Sequence, residues 1–354
     1  MKTDSPTIDL FCRVIDNFGD IGVCWRLARQ LVAEHGYSVR LIVDDLHAFR
    51  FIAPAIDADA VQTQVLQGVV VVPWRTADAL RPSQIVIEAF ACDPPAAYVQ
   101  AMAARKPRPV WLNLEYLSAE HWVDDIHGRP SPHPRLPLTK YFFCPGFTEQ
   151  SGGLIREQSL GSTHSRRLAS PSEPPPPART ALKLFAFTYP QAPVGAVVEG
   201  FGQAGLGLQV TTAAPLNDRA DGWRTAKSVP QQDFDALLAD FDWLVVRGED
   251  SFVRAQWAGK PMLWHIYPTD DNAHVAKLDA WLDVYCSGLP TLAAATYRAA
   301  SHAFVVGEQN AAVYGQLGSL LPVLREHAVT WRNQLLQQTD LASRLVRFIA
   351  LVKT

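Results

Sequence analysis

The stretch IDLFCRVIDNFGDIGVCWRLARQL, residues 8–31, decides how the fold is read. Its first part, Ile8 to Ile15, is short, β-branched and aromatic, the make-up of a buried strand. After it, Ile21, Cys24, Ala28, Leu31 and Val32 recur at helical spacing. Arg26, Arg29, Gln30 and Glu34 fall between them as a predicted solvent face. Asp16, Gly19, Asp20 and Gly22 therefore stand in a strand-to-helix turn, where backbone amides open at a helix N-terminus. Capping explains either aspartate alone, with Asp16 on the turn and Asp20 as the helix N-cap. A pair of carboxylates at one sheet mouth exceeds what capping needs and suits a cation, a proton-accepting role or a bound guanidinium. The turn lacks G-x-G-x-x-G, and an aspartate where a pyrophosphate would sit speaks against a dinucleotide.

Outward from this turn, SVRLIVDD, GVVVVPW, QIVIEAFAC and PVWLNLEYL read as strands, and PPAAYVQAMAARK as a helix. That alternation predicts a parallel sheet with crossover helices. From Ser118 to Phe147 the periodicity fades, and a long irregular segment is expected. Residues 161–180, GSTHSRRLASPSEPPPPART, break the composition and read as a stiff, solvated linker or excursion. The alternation then restarts: LKLFAFTY, LGLQVTTAA, DWLVVRGE and PMLWHIYPT as strands, with VGAVVEGFGQAG, QQDFDALLADF and DSFVRAQWAGK as helices. From Ala300 onward the chain is expected to be helical, with LASRLVRFIALV folding back on the first domain.

The expectation is an α/β protein of two Rossmann-like domains facing across a cleft, an arrangement that fits GT-B glycosyltransferases and also two-domain dehydrogenases, epimerases and periplasmic-type binding proteins. Residues 1–160 plus about 338–354 form the first domain and residues 181–337 the second. A chain of 354 residues accommodates two such cores. The formal net charge of −3 lacks the basic excess usual in nucleic-acid binders, and no apolar run approaches the ~20 residues of a membrane span. The N-terminal residues carry no signal-peptide core. Five scattered cysteines without a CxxC pair read as buried hydrophobes of a reducing cytoplasm.

A second polar strand end is VVRGEDSFVRAQWAGKP, residues 245–261. Arg247, the hydroxyl of Ser251 and the first-turn amides suit an anion. The plain alternative is a well-capped helix, with Asp250 or Ser251 as N-cap and Glu249 as a solvated charge. HIYPTDDNAHVAKLDAWL has a similar layout, with a strand ending at Tyr267 and a helix opening at Asp270, Asp271 and Asn272. Asp270, Asp271 and His274 read as helix-start residues and not as metal ligands. His127 and His133 read as loop residues. No GxSxG, HExxH or Walker loop is present.

Four stretches, DNFGDIGVCWRLARQL, NLEYLSAEHWVDDIHGRPSPHP, LTKYFFCPGF and RGEDSFVRAQWAGKP, together resemble the bacterial protein-arginine rhamnosyltransferases that modify translation elongation factor P. The resemblance spans almost the whole chain outside the Pro-rich segment. It implies a metal-independent, cofactor-free inverting enzyme with dTDP-β-L-rhamnose as donor and elongation factor P as acceptor protein, and neither nucleic acid nor membrane as partner. By position it implies catalytic roles for Asp16, Asp20 and Glu249. It also implies nucleotide-sugar contacts from Tyr189, Gln231, Phe234, Arg247, Asp250, Ser251 and Tyr267. Ser228 stands where the family has an aromatic residue, which shifts thymine stacking toward Phe234. Other readings the residues leave open are a GT-B enzyme with another nucleotide sugar and a small-molecule or lipid acceptor, and a non-catalytic nucleotide-binding module. A dehydrogenase ranks last, for want of the glycine fingerprint.

Overall fold

The computed structural model describes residues 5–15, 18–160, 181–213, 216–269 and 271–353. Asp16, Asp270 and the Pro-rich segment 161–180 lie outside the described residues. The chain divides into two compact units, Met1–Leu160 with Gln338–Thr354, and Gly161–Gln337.

The first unit is built on β1 (Thr7–Cys12), β2 (Ser38–Val43), β3 (Gln64–Leu66), β4 (Val69–Pro73), β5 (Ile85–Ala89), β6 (Val110–Leu114), β7 (Pro130–Pro132) and β8 (Thr139–Phe143). Their order across one sheet is β3-β4-β2-β1-β5-β6-β8-β7. The six inner strands pair in parallel, and β3 and β7 close the two edges antiparallel. Chain order reverses direction between β1 and β5, so the ligand crevice of this unit is expected beyond the carboxyl ends of those two strands. The segment read as irregular from Ser118 to Phe147 instead holds a short helix, the β7–β8 hairpin and a sixth parallel strand. Prolines around the hairpin hid it, because they suppress the alternating pattern while remaining tolerable on an edge strand.

Helix α1 (Gly19–His35) follows β1 and ends at Gly36, whose left-handed φ of 68° lets its N–H reach the Leu31 carbonyl. Its polar stripe is not solvent-facing as predicted: Arg26 and Gln30 are buried, while Arg29 lies half-buried with its guanidinium over the Trp25 ring. Arg26 reaches Glu157 through two hydrogen bonds of 2.8 and 2.7 Å, and Gln30 donates to the Arg156 carbonyl and to Asp340. The reason is that α1 is covered from outside by the returning chain, which periodicity alone does not register. Asp9, buried in β1, takes a bidentate pair from Arg40 and hydrogen bonds from Ser83 and the Tyr98 hydroxyl. A charge so fully compensated is a structural tie between strands and not a reactive group.

The second unit carries β9 (Leu182–Ala186), β10 (Leu208–Thr212), β11 (Arg224–Thr225), β12 (Trp243–Arg247) and β13 (Met262–His265). They form an all-parallel sheet in the order β11-β10-β9-β12-β13, whose direction reverses between β9 and β12. The strand predicted to end at Tyr267 ends at His265.

Candidate functional site

Asp20 does not take the N-cap position that the plain reading of the turn offers it. Phe18 occupies that position without a side-chain cap, and Asp20 lies in the first turn of α1, only 2% exposed. Its carboxylate accepts the Ile15 N–H at 2.7 Å, so a carboxyl group is fixed to the backbone of the strand-to-helix turn. At the neighbouring mouth, beyond β5, Phe90, Ala91 and Asp93 take left-handed φ values of 58°, 51° and 48°. Such backbone costs roughly 1–3 kcal/mol per residue unless its surroundings fix it. Here Asn113 accepts the Ala91 N–H, Leu114 accepts the Phe90 N–H, and the Phe90 ring stacks on Tyr116 at 4.2 Å. His127 and His133 use Nδ1 to accept backbone N–H groups, from Cys144 and from Arg135 and Leu136. Burial and nearby Arg344 lower the pKa of His127. Both histidines serve the loop geometry they sit in.

In the second unit the predicted residues converge on one mouth. The strand β12 ends at Arg247, and Gly248, at φ 58°, turns the chain into α7 (Asp250–Ala258). Among the described residues, α5 (Val194–Gln203) and α6 (Phe234–Ala239) precede it in the second unit. The N-cap position belongs to Glu249, with no side-chain cap, and not to Asp250 or Ser251 as expected. Ser251 instead turns its hydroxyl back: Oγ donates to the Arg247 carbonyl and accepts the Arg247 N–H at 3.2 Å, pinning the strand end to the helix. Asp250 is held by Gln231 Nε2 at 2.8 Å and Arg254 Nε at 3.1 Å, and Arg254 also pairs with Asp235. Glu249 is no solvated charge, because Lys277 Nζ lies 2.6 Å from its carboxylate.

The other wall begins just past β9. The Arg247 guanidinium lies over the rings of Phe187 and Tyr189, 4.5 and 4.9 Å from their centroids, and donates to the Thr188 carbonyl. Phe234, at the start of α6, packs edge-on against Phe185 and Phe187. Tyr267 is 43% exposed and meets Tyr189 edge to face at 5.7 Å. His265, aligned with Arg247 across the sheet, accepts the Tyr189 N–H on Nδ1, so its proton sits on Nε2. Burial and the adjacent Arg247 charge lower its pKa from 6.5 to about 4. Tyr189, Gln231, Phe234, Arg247, Glu249, Asp250, Ser251 and Tyr267 thus lie at or beside the carboxyl ends of β9, β12 and β13, the expected crevice of a doubly wound sheet. Sequence reading missed Phe187, His265 and Lys277, because each enters through contacts across strands or helices with no local pattern.

Asp271 accepts the Ala273 N–H just ahead of the following helix, and His274, in that helix's first turn, accepts the Thr269 N–H on Nδ1, so both serve the turn that opens the helix. Among the described residues no group of three or more His, Cys, Asp or Glu side chains is placed to hold a metal ion. All five cysteines are free and buried, and no described helix is long and apolar enough to cross a membrane.

Residues 8–350 match the family described as elongation factor P (EF-P) rhamnosyltransferase EarP. A protein-arginine rhamnosyltransferase of Pseudomonas putida is 46% identical over 97% of this chain and 98% of its own. That of Shewanella oneidensis is 37% identical over 96% and 97%. A solved structure described as the structural basis for EarP-mediated arginine glycosylation of translation elongation factor EF-P is 32% identical. It covers 97% of this chain and 98% of its own, at a TM-score of 0.61. The spinosyn forosaminyltransferase SpnP, 12% identical and covering 99% and 100%, superposes at a TM-score of 0.53 and shares the GT-B glycosyltransferase fold alone. With one family spanning nearly every residue from β1 to the last helix, the chain belongs to the EarP elongation factor P rhamnosyltransferases.

Proposed function

We propose that this protein is a cytoplasmic inverting glycosyltransferase that moves L-rhamnose from dTDP-β-L-rhamnose to one arginine side chain of elongation factor P. The observation that carries the reading is the meeting of Gln231 with the Arg247–Ser251 turn at one sheet mouth, within a chain whose family is described as elongation factor P rhamnosyltransferases. Arg247 and the first-turn amides of α7 supply positive potential for a leaving diphosphate, which such a site must provide from the protein itself. Phe234, Tyr189 and Tyr267 offer aromatic faces for a nucleobase, and Glu249 is suited to sugar hydroxyls.

The acceptor side must overcome the charge of arginine, whose guanidinium stays protonated at any ordinary pH, with a pKa above ~12. Charge-assisted hydrogen bonds donated by the guanidinium to Asp16 and Asp20 would fix one terminal nitrogen toward the sugar. As the nitrogen bonds to the anomeric carbon, the bond from that carbon to the β-phosphate oxygen breaks. One guanidinium proton passes to Asp20, and dTDP leaves. Attack from the face opposite the departing phosphate inverts the anomeric centre. The tether from the Ile15 N–H gives Asp20 a fixed direction, and this supports the assignment of Asp20 as base and Asp16 as orienting group.

The test is the intact mass of unmodified elongation factor P after incubation with the protein and dTDP-β-L-rhamnose. A gain of one deoxyhexose is expected, and Asp20→Asn is expected to lower its rate by ~100-fold or more, the usual scale for a lost general base. Full transfer by Asp20→Asn would remove Asp20 from the role of base. No mass gain with the folded protein would overturn the assignment of donor and acceptor.

A further inference from the structure

A carboxylate beside a diphosphate is electrostatically awkward, and Glu249 stands at the mouth expected to take one. The structure carries its own remedy. Glu249 is 14% exposed and Lys277, on α8 (Ala273–Cys286), is 20% exposed, with 2.6 Å between their charged atoms. The two residues come from different helices, each opening at the carboxyl edge of the same sheet, one after β12 and one after β13. The other acids around this mouth are paired likewise, Asp250 and Asp235 both with Arg254. Arg254 is 1% exposed and completes a buried cluster whose partners lie within the first turn of α7 and on α6. Lys277 is of a different kind, since it compensates one carboxylate at the very residue that begins the donor turn.

We propose that Lys277 is a positioning residue for the nucleotide sugar: it cancels the charge of Glu249 and aims its carboxylate, so that an anionic diphosphate can be bound next to an acid. The inference rests on the proposed donor reading of this mouth. Without the lysine, a positive charge 2.6 Å from the Glu249 carboxylate is lost, and its repulsion of the incoming diphosphate grows. Lys277 acts through Glu249, so its effect must vanish when Glu249 is neutral.

The experiment is calorimetric titration of the full chain with dTDP, for the unsubstituted protein, Lys277→Met, Glu249→Gln and the double variant, with thermal midpoints measured in parallel. Lys277→Met is expected to weaken dTDP binding by ~10-fold or more, the scale for removing one member of a half-buried ion pair beside a bound anion. In the Glu249→Gln background the same change is expected to cost less than ~3-fold, the signature of two residues that act as one unit. Lys277→Arg is expected to restore most of the affinity, because it returns a positive charge to the Glu249 carboxylate. Unchanged affinity in Lys277→Met overturns the proposal, as does an equal loss in both backgrounds. Lys277→Gln repeats the measurement if the methionine variant does not fold. Absence of dTDP binding by the unsubstituted protein overturns the donor reading together with this proposal, and no other outcome does so.

Discussion

At the scale of single residues, His265 shows how burial and a neighbouring charge together fix a protonation state. It is 3% exposed, it lies beside Arg247, and its Nδ1 must stay unprotonated to accept the Tyr189 N–H. The sign follows from its folded-state pKa of about 4 against 6.5 for the free side chain. Folding excludes a proton that the unfolded chain binds, so stability is complete above pH 6.5 and is lost as pH falls toward 4. The loss from this group approaches roughly 3 kcal/mol below that range. His327, whose pKa burial also lowers, acts in the same direction. Urea midpoints at pH 7 and pH 4.5 measure the difference. His265→Asn, which keeps an acceptor near the Nδ1 position and removes the titration, is expected to narrow it.

At the scale of elements, α5 and α10 (Ala311–Ser319) pack closely in the second unit, with glycines facing one another. A Cβ on Gly200 would lie 2.3 Å from the Ala311 carbonyl oxygen and 2.6 Å from the Gly315 nitrogen, both backbone atoms that cannot swing aside. Gly200→Ala must therefore push two helices apart, and about 1–3 kcal/mol of destabilisation is expected from the overpacking. Gly202 on the same helix has nothing within 4 Å of its Cβ position. Gly202→Ala is expected to raise stability by roughly 0.5–1 kcal/mol, because alanine restricts the unfolded chain and favours helix. Opposite signs two residues apart, read by thermal or denaturant unfolding, distinguish a packing constraint from mere helix propensity. Equal signs would remove the close-packing argument.

At the scale of the whole molecule, the last helix, α12 (Leu341–Val352), belongs to the first unit although it follows the second in sequence. Asp340 caps it by accepting the Ser343 N–H and also takes a hydrogen bond from Gln30 on α1. Arg344 donates to the carbonyls of Thr148, Glu149 and Ser151, while Leu341, Leu345 and Ile349 are buried. Ending the chain after Gln337 removes this cover from α1. Each buried leucine or isoleucine lost is worth about 1.5–3 kcal/mol, so a markedly lower first unfolding transition and new binding of an apolar dye are expected. A truncated chain that melts like the full one would show that α12 contributes nothing to the first unit.

The sequence by itself determined the alternation of strand and helix, the two Rossmann-like halves, and the turns that carry Asp20 and the Arg247–Ser251 run. These follow from local periodicity, from glycine at turns and from polar residues massed at strand ends, all legible within a dozen residues. The same reading placed Arg26 and Gln30 in solvent, left capping as the plain alternative for Asp20 and left the β7–β8 hairpin as a loop. Only the tertiary structure decided these, since whether a polar stripe is wet depends on what returns to cover it, here Glu157 and Asp340. It also decided that Glu249 meets Lys277 and that Tyr189 is held by His265, pairs 28 and 76 residues apart. Charge compensation acts through space over a few ångströms, and no spacing along the chain encodes which lysine will arrive beside which acid.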